Sequence, residues 1–151
     1  MKFVLNIAVA CFLFLIAAPI THAEELQDFL KRTGVGNATT KDVHENFQIS
    51  VIVGGQTLKM NRDEILKFWE QQRASGIKLV INSFTVLSKT ETADDDGKGA
   101  VISVVAKASV TEDVRGSLAR IESTSHFIVL RDAKGAFRLL YATVPKQVRH
   151  A

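Results

Sequence analysis

The sequence predicts an α+β fold in which a curled antiparallel sheet carries helices on one face. Three observations lead to this fold class. Two segments with helical spacing of apolar residues lie in the first half of the chain. From residue 77 onwards, apolar and polar residues alternate in long stretches separated by turns that contain glycine or aspartate. No internal repeat or linker interrupts the pattern, so we expect a single domain over residues 24–151.

The first 23 residues have the pattern of a cleaved export signal. Lys2 gives a positive start, residues 3–18 are apolar apart from Asn6, and Pro19 breaks the run before small residues and Glu24. The apolar run is shorter than the roughly 20 residues that a membrane-spanning helix needs. We therefore expect an exported protein, periplasmic or secreted, that begins at Glu24 and keeps no stable membrane anchor.

Removal of these 23 residues from the 151 leaves 128, which suffice for one self-supporting core. Cys11 is the only cysteine and is lost with the signal, so the mature chain cannot form disulfides, thiolate nucleophiles or cysteine-ligated metal sites. Loss of Lys2 lowers the formal charge from +3 to +2. The charges of both signs are interspersed, which argues against nucleic-acid binding. We expect no cofactor.

The N-terminal part of the mature chain predicts one short helix and a loop. Residues 24–33 place Leu26, Phe29 and Leu30 at helical spacing, and Gly34 supplies a stop. After a loop, residues 41–46 are predicted to form one helical turn.

A strand pair and a second helix follow. Residues 47–53 alternate as a strand, a Gly-Gly turn follows, and residues 56–60 form a short return strand. Asn61 and Glu64 then have the spacing of a capping box for a helix over 62–74. One side of this helix is expected to present Ile65, Phe68, Trp69 and Gln72.

The rest of the chain predicts four long strands joined by hairpins. The strands are expected at 77–89, 100–111, 117–131 and 136–144, with turns at 90–99, 112–116 and 132–135. Pro145 ends the set, because proline cannot donate a ladder hydrogen bond.

The stretch from Phe47 to Trp69 resembles the nuclear transport factor 2-like superfamily, which includes ketosteroid isomerases, polyketide cyclases and many uncharacterised exported proteins. The resemblance consists of a strand, a glycine turn, a short strand and a helix that opens Arg-Asp-Glu-Ile and carries a Phe-Trp pair. The strands over residues 77–144 match the superfamily's order, whereas its long first helix is replaced by a short one. The resemblance implies a cone with helices on its concave face and an apolar pocket inside. Because the superfamily hosts many activities, it does not by itself select a function.

In similar isomerases, a general-base aspartate lies on the first strand just before the glycine turn. The resemblance places that position at Ile52, between Val51 and Val53. None of the three side chains can accept a proton, and a general base must reach the proton it removes. The known isomerase chemistry is therefore disfavoured.

A polar cluster is predicted on the last hairpin. If residues 132–135 form the turn, Arg131 faces Ala136 and His126 lies opposite Tyr141. The same register puts Thr124 opposite Thr143 and places Glu122 on the face of His126.

The cluster admits two interpretations. His126 and Tyr141 could line a pocket in which the Glu122 carboxylate orients the imidazole. Alternatively, they form a cross-strand pair on a solvated or dimer-forming face, and this is the interpretation we favour. Trp69 is a further candidate for the pocket mouth, although core packing is the preferred expectation for the only tryptophan.

The acidic run of residues 94–97 does not fit a calcium loop. An EF-hand register would put its first ligand at Thr92 and its bidentate glutamate at Ser103, and neither residue suits that role. We expect a solvated hairpin tip and no metal site.

Three functions remain open on these grounds. The first is a non-catalytic exported domain that binds a small apolar ligand or a protein partner. The second is an isomerase- or cyclase-type enzyme that uses His126 and Tyr141 with Glu122. The third is an accessory or assembly component of an envelope or secretion complex that docks through the sheet face. The resemblance also implies a homodimer formed through that face.

Overall fold

The computed structural model describes residues 24–144 and 148–150. The predicted export signal lies outside the described residues and stays a prediction. Within the described part of the chain, no helix has the length and apolar character needed to cross a membrane.

The elements follow the predicted order closely. The helices are α1 (Leu26–Gly34), the short 3-10 helix Thr40–Asp42 and α2 (Arg62–Ala74). The strands are β1 (Val43–Val53), β2 (Gln56–Asn61), β3 (Ile77–Ala93), β4 (Ala100–Val114), β5 (Ser117–Arg131), β6 (Phe137–Val144) and β7 (Val148–His150).

The strands form one sheet in the order β2-β1-β6-β5-β4-β3, and β7 pairs with β5. The α+β class is confirmed. One pairing differs from an all-antiparallel sheet, because β1 and β6 run parallel. Three successive antiparallel pairings make β6 run opposite to β3, and β1 also runs opposite to β3 because it pairs with β6 in parallel.

The sheet has two faces, which we call the helix face and the open face. The helix face carries the even-numbered residues of β4 from 100 to 110 and the odd-numbered residues of β5 from 121 to 131. The open face carries the odd-numbered residues of β4 from 101 to 113, the even-numbered residues of β5 from 118 to 130, and Tyr141 and Thr143 of β6. Both helices pack on the helix face, where their side chains join the buried core.

The core on the helix face is made of large apolar side chains. Phe29 and Leu30 of α1 and Ile65 of α2 are at most 2% exposed. They pack with buried residues of the sheet, among them Val104 and Val129. The two predicted amphipathic helices therefore form the layer that covers this face.

Helix α2 begins and ends where the sequence predicts. The Asn61 side chain accepts a hydrogen bond from the Glu64 amide, and the Glu64 carboxylate accepts one from the Asn61 amide. Ile65 is buried and Trp69 is half-buried, but Phe68 is 42% exposed. Phe68 precedes Trp69 by one residue, which rotates it by about 100° around the helix and off the packed side.

The predicted helical turn over residues 41–46 is wrong beyond Asp42. The 3-10 helix ends there, and β1 begins at Val43, which is buried and pairs with Leu139 of β6. A capping box, in which the Thr39 and Asp42 side chains each accept a hydrogen bond from the backbone of the other residue, stabilises this short helix of three residues. Burial of Val43 in the sheet thus favours extended backbone over further helix.

The connection from β4 to β5 is tighter than predicted. It consists of Arg115 and Gly116 alone, with φ angles of 53° and 89°. Two consecutive left-handed residues are the geometry of a type I′ hairpin turn, which matches the natural twist of the strands it joins. Both strands therefore extend to the turn, and β4 reaches Val114.

Candidate functional site

The predicted register of the β5–β6 hairpin is wrong. Arg131 pairs with Phe137 and not with Ala136, and His126 lies opposite Thr143 and not opposite Tyr141. Thr143 therefore does not face Thr124. The cause lies in the turn, where the Asp132 carboxylate accepts hydrogen bonds from the amides of residues 134 and 136 and holds a loop of five residues.

A bulge between β5 and β6 shifts the register once more. Ile128 pairs with Tyr141, but Val129 pairs with Leu139, so Leu140 is the extra residue. A bulge changes which residues of a strand share a face. Here it brings Tyr141 and Thr143 to the open face while Leu139 stays in the core.

His126 lies near the middle of the open face and is half-buried. Its Nε2 atom lies 2.7 Å from the hydroxyl oxygen of Ser103 on β4. Its ring packs edge-on against the ring of Tyr141, with the ring centroids 6.1 Å apart and an interplanar angle of 69°. The Tyr141 hydroxyl in turn accepts a hydrogen bond from Thr143. These four side chains, Ser103, His126, Tyr141 and Thr143, form what we call the open-face cluster.

Glu122 is not part of this cluster. It shares the face of His126, but the two residues are four positions apart on β5, or about 13 Å along the strand. The Glu122 carboxylate pairs with the Arg120 guanidinium at 3.4 Å, and Arg120 also donates to the Ser109 hydroxyl. The carboxylate is therefore engaged away from the imidazole.

Trp69 lies on the other side of the sheet. Its ring is half-buried against the core of the helix face, and it closes over Gly36 in the loop after α1. A Cβ atom on Gly36 would lie 3.2 Å from the Trp69 ring. The structure thus unites His126 and Tyr141, and it places Trp69 and Glu122 apart from them.

Ile52, at the position where similar isomerases carry their base, lies on β1 opposite Thr57. Within residues 24–144 and 148–150, no group of three or more histidine, cysteine, aspartate or glutamate side chains is arranged to hold a metal ion.

Sequence reasoning missed Ser103. On β4 it pairs with Ile128, which places it diagonally across from His126. The signal that could have found it is the Arg115-Gly116 dipeptide, because a two-residue turn there sets the whole β4–β5 register.

A second feature missed from the sequence is a crevice of about 230 Å³ where two hairpin tips meet. It lies between the β3–β4 and β5–β6 connections and is lined by charged side chains of both signs, including Asp94, Lys98, Arg131 and Arg138. Gly99 allows the tips to approach, since a Cβ atom there would lie 2.5 Å from the Arg131 carbonyl oxygen.

Solved structures with a similar arrangement of elements include two bacterial proteins. One is a conserved protein from Planctomyces limnophilus, with a TM-score of 0.52, 15% identity, and coverage of 80% of this chain and 87% of that one. The other is a ketosteroid isomerase-like protein from Erwinia carotovora atroseptica, with a TM-score of 0.50, 9% identity, and coverage of 80% and 88%. The chain has the nuclear transport factor 2-like fold.

A nuclear transport factor 2-like protein with a cystatin-like fold from Novosphingobium aromaticivorans is also similar, at 21% identity and a TM-score of 0.48, covering 91% of this chain and 86% of that one. No family model and no curated protein matches the chain. The predicted resemblance is confirmed for the fold. At identities this low, the shared fold does not assign an activity to this chain.

Proposed function

We propose that this chain is an exported, non-catalytic binding domain and that its docking surface is the open face of the sheet. The observation that carries the proposal is the contrast between the faces. Both helices pack on one face, and the other presents a half-buried cluster of aromatic and hydroxyl side chains. Export rests on the pattern of residues 1–23.

The composition of the open face suits an interface. Its centre is apolar and aromatic, with Val105, Ile128 and Leu130 beside the rings of His126 and Tyr141. Its charged side chains lie on both sides of this centre, with Lys107, Arg120 and Glu122 towards the β4–β5 turn and Arg138 opposite Leu130 towards the β5–β6 turn. Protein interfaces typically combine an apolar, aromatic centre with a polar rim.

The contacts of the cluster support binding over catalysis. A catalytic histidine is usually oriented by a carboxylate. Here the Nε2 atom of His126 faces the Ser103 hydroxyl, and the Glu122 carboxylate pairs with Arg120. The imidazole is thereby held as part of a packed surface.

The occupant we assign to this surface is a second copy of the chain. An isologous interface must be self-complementary, and the face carries charges of both signs, so Lys107 of one copy can approach Glu122 of the other. Four strands that are about 4.8 Å apart and ten residues long cover roughly 600 Å² when the sheet is treated as flat. The side chains that project from the sheet increase the accessible area further. That area approaches the ~800 Å² per partner of a standard interface.

The test uses the full chain expressed with residues 1–23 and purified after export. The protein is expected to begin at Glu24 and to sediment as a dimer at micromolar concentration. Ile128→Lys places a charge in the centre of the face and should give a monomer, because an unpaired charge buried in an interface is strongly unfavourable. Phe68→Lys is the matched control, since it adds the same charge to an exposed side chain of α2 and should leave the dimer intact.

Two results would overturn this proposal. A wild-type protein that is monomeric at all concentrations contradicts the second copy as occupant. The second is a monomeric protein whose melting temperature is raised by an uncharged apolar probe such as naphthalene, equally in wild type and in Ile128→Lys. That result assigns binding to a small apolar ligand away from the open face. Circular dichroism confirms that each variant is folded.

A further inference from the structure

We infer that two copies dock with their two-fold axis along the strands, between β4 and β5, and that alternating charges on the open face fix this arrangement. The arrangement rests on the proposed function and deepens it, because it specifies how one copy recognises the other. The charges belong to four side chains that we call the charge strip, namely Lys107 and Asp113 of β4 and Arg120 and Glu122 of β5.

Strands β4 and β5 form a long, regular ladder at the centre of the proposed interface. Each has 15 residues, and they pair in continuous register from Ala100 opposite Arg131 to Val114 opposite Ser117. Opposed residues of the open face therefore lie in level rows, about 7 Å apart along the strands because side chains alternate between the faces. Nearest the β5–β6 turn, three rows hold mainly apolar side chains, namely Val101 with Leu130, Ser103 with Ile128, and Val105 with His126.

The charge strip occupies the four rows that follow towards the β4–β5 turn. In order, these rows hold Lys107 with Thr124, Glu122 with Ser109, Arg120 with Thr111, and Asp113 with Leu118. The sign of the charge therefore alternates from each row to the next. The two outer charges lie on β4 and the two inner charges on β5, where the Glu122 carboxylate and the Arg120 guanidinium are 3.4 Å apart. Each strand thus carries one charge of each sign.

A two-fold axis along the strands, between β4 and β5, lays β4 of one copy over β5 of the other and keeps each row level with its counterpart. Packed sheets keep their strands within about 30° of each other, as this axis allows. The three apolar rows then cover the same rows of the second copy, so Val101 of one copy lies over Leu130 of the other and Val105 over His126. This contact removes the apolar centres of both copies from water.

The same axis brings opposite charges together across the interface. Lys107 of one copy lies one row from Glu122 of the other, and Asp113 lies one row from Arg120 of the other. The flexible stem of lysine and the long side chain of arginine can span one row. Because the pattern is its own complement, it selects a second copy over a partner with a different order of charges.

An axis across the strands would meet the charge strip unfavourably. Placed at Thr124, the middle residue of β5, it lays Arg120 over Ile128 and Asp113 over Val101 of the second copy. A charge buried against an apolar side chain loses water without gaining a partner, which is costly. Placed at Ile128, it carries Arg120 past the end of the second β5 and leaves most of the charge strip uncovered. The charges therefore favour the axis along the strands.

The experiment reverses one charge of the strip at a time in the exported protein and measures dimer dissociation constants by sedimentation. Lys107→Glu sets two carboxylates against each other across the interface, and Glu122→Lys sets two ammonium groups against each other. Each variant alone should therefore have a dissociation constant at least about tenfold above that of the wild type. In an equal mixture the introduced charges complement each other, so a heterodimer should form with a dissociation constant within about threefold of the wild-type value.

Ionic strength provides a second readout in which the effects have opposite signs. Added sodium chloride should raise the dissociation constant of the wild type, because screening weakens attraction, and should lower that of Lys107→Glu, because screening weakens repulsion. Lys67→Glu and Glu70→Lys are the matched controls, since they make the same charge changes at exposed positions of α2. Alone or mixed, they should leave the dissociation constant within about twofold of the wild-type value.

Two results would overturn this arrangement while the proposed function stands. The first is that both single reversals, shown to be folded by circular dichroism, dimerise as tightly as the wild type. The second is that the single reversals weaken the dimer but their equal mixture recovers no affinity, which means that the copies meet in another register. A wild-type protein that is monomeric at every concentration overturns the arrangement and the proposed function together.

Discussion

The helix face and the open face of the sheet share the same strands but carry different side chains. Along β4, Ile102 and Val104 point into the core and are at most 1% exposed, whereas Ser103 and Val105 between them stay half-buried on the other side. The helix face is closed by α1 and α2, and the open face has hydroxyls, a histidine and a tyrosine at its centre. One face therefore supplies the stability of the fold, and the other remains available for docking.

The two faces also differ in how their polar groups are held. At the entrance to the helix face, Arg32 of α1 forms two hydrogen bonds with the Asp42 carboxylate, at 2.8 and 3.0 Å, and a further ion pair with Glu24. Burial alone would raise the pKa of Asp42, but the hydrogen bonds from Arg32 and Thr39 outweigh it and hold that pKa below its usual value. This cluster fixes α1 to the 3-10 helix through charged hydrogen bonds to one carboxylate, whereas the open-face cluster is held by hydrogen bonds between neutral side chains and by a ring contact.

The comparison predicts that equal truncations have unequal effects on the two faces. Leu30→Ala removes a fully buried side chain from the helix face and should lower the free energy of unfolding by about 2–5 kcal/mol. Leu118→Ala makes the same chemical change on the open face, where the side chain is 66% exposed, and should cost less than about 0.5 kcal/mol. Urea denaturation at one protein concentration measures both values. A cost for Leu118→Ala near that of Leu30→Ala would mean that the open face also carries the fold.

The type and order of these elements could be predicted because each depends on local pattern. The period of two in β4 and β5, and the capping residues of α2, are visible without knowledge of their neighbours. The sequence predicts helix α2 over 62–74 and strand β5 over 117–131, and the structure has these bounds.

The open-face cluster could be predicted only in part, because it depends on register. The contact of His126 with Tyr141 requires the five-residue loop held by Asp132 and the bulge at Leu140, and neither has a simple sequence signal. The contact with Ser103 requires the register of a third strand. Each register error of one residue moves side chains to the opposite face, so site geometry is lost before element identity is.

Helix α1 is attached to the rest of the helix face through the hydrogen bonds between Arg32 and the Asp42 carboxylate. Asp42→Asn keeps the shape of the side chain but loses the charge that accepts from Arg32, and we expect a loss of about 1–3 kcal/mol at pH 7. Folding lowers the pKa of Asp42. The stabilisation that its carboxylate gives the fold is therefore present above the unfolded pKa near 4 and is lost as the pH falls below that value. Urea denaturation of wild type and Asp42→Asn should therefore give curves that converge below pH 4.

Glu24→Gln is the control for Asp42→Asn. It also removes a carboxylate that pairs with Arg32, but its side chain is 36% exposed and solvent screens the ion pair. Its cost should be under about 1 kcal/mol. If Glu24→Gln proves as costly as Asp42→Asn, the attachment of α1 depends on the charge of Arg32 and not on the buried Asp42 carboxylate.

The smallest expected effect comes from the Arg115-Gly116 turn, which joins β4 to β5 and belongs equally to both faces. Arg115 has a φ of 53°, a left-handed conformation that asparagine adopts at lower cost than arginine. Arg115→Asn should raise the free energy of unfolding by about 0.5 kcal/mol, and the dimer affinity should not change. Lys134→Asn removes the same charge from a turn residue whose φ is not positive and should give no gain. Equal stabilisation by both substitutions would mean that the gain comes from loss of positive charge. A gain confined to Arg115→Asn means that it comes from the backbone conformation, because Arg115 is the non-glycine residue with a left-handed φ among those that the structure describes.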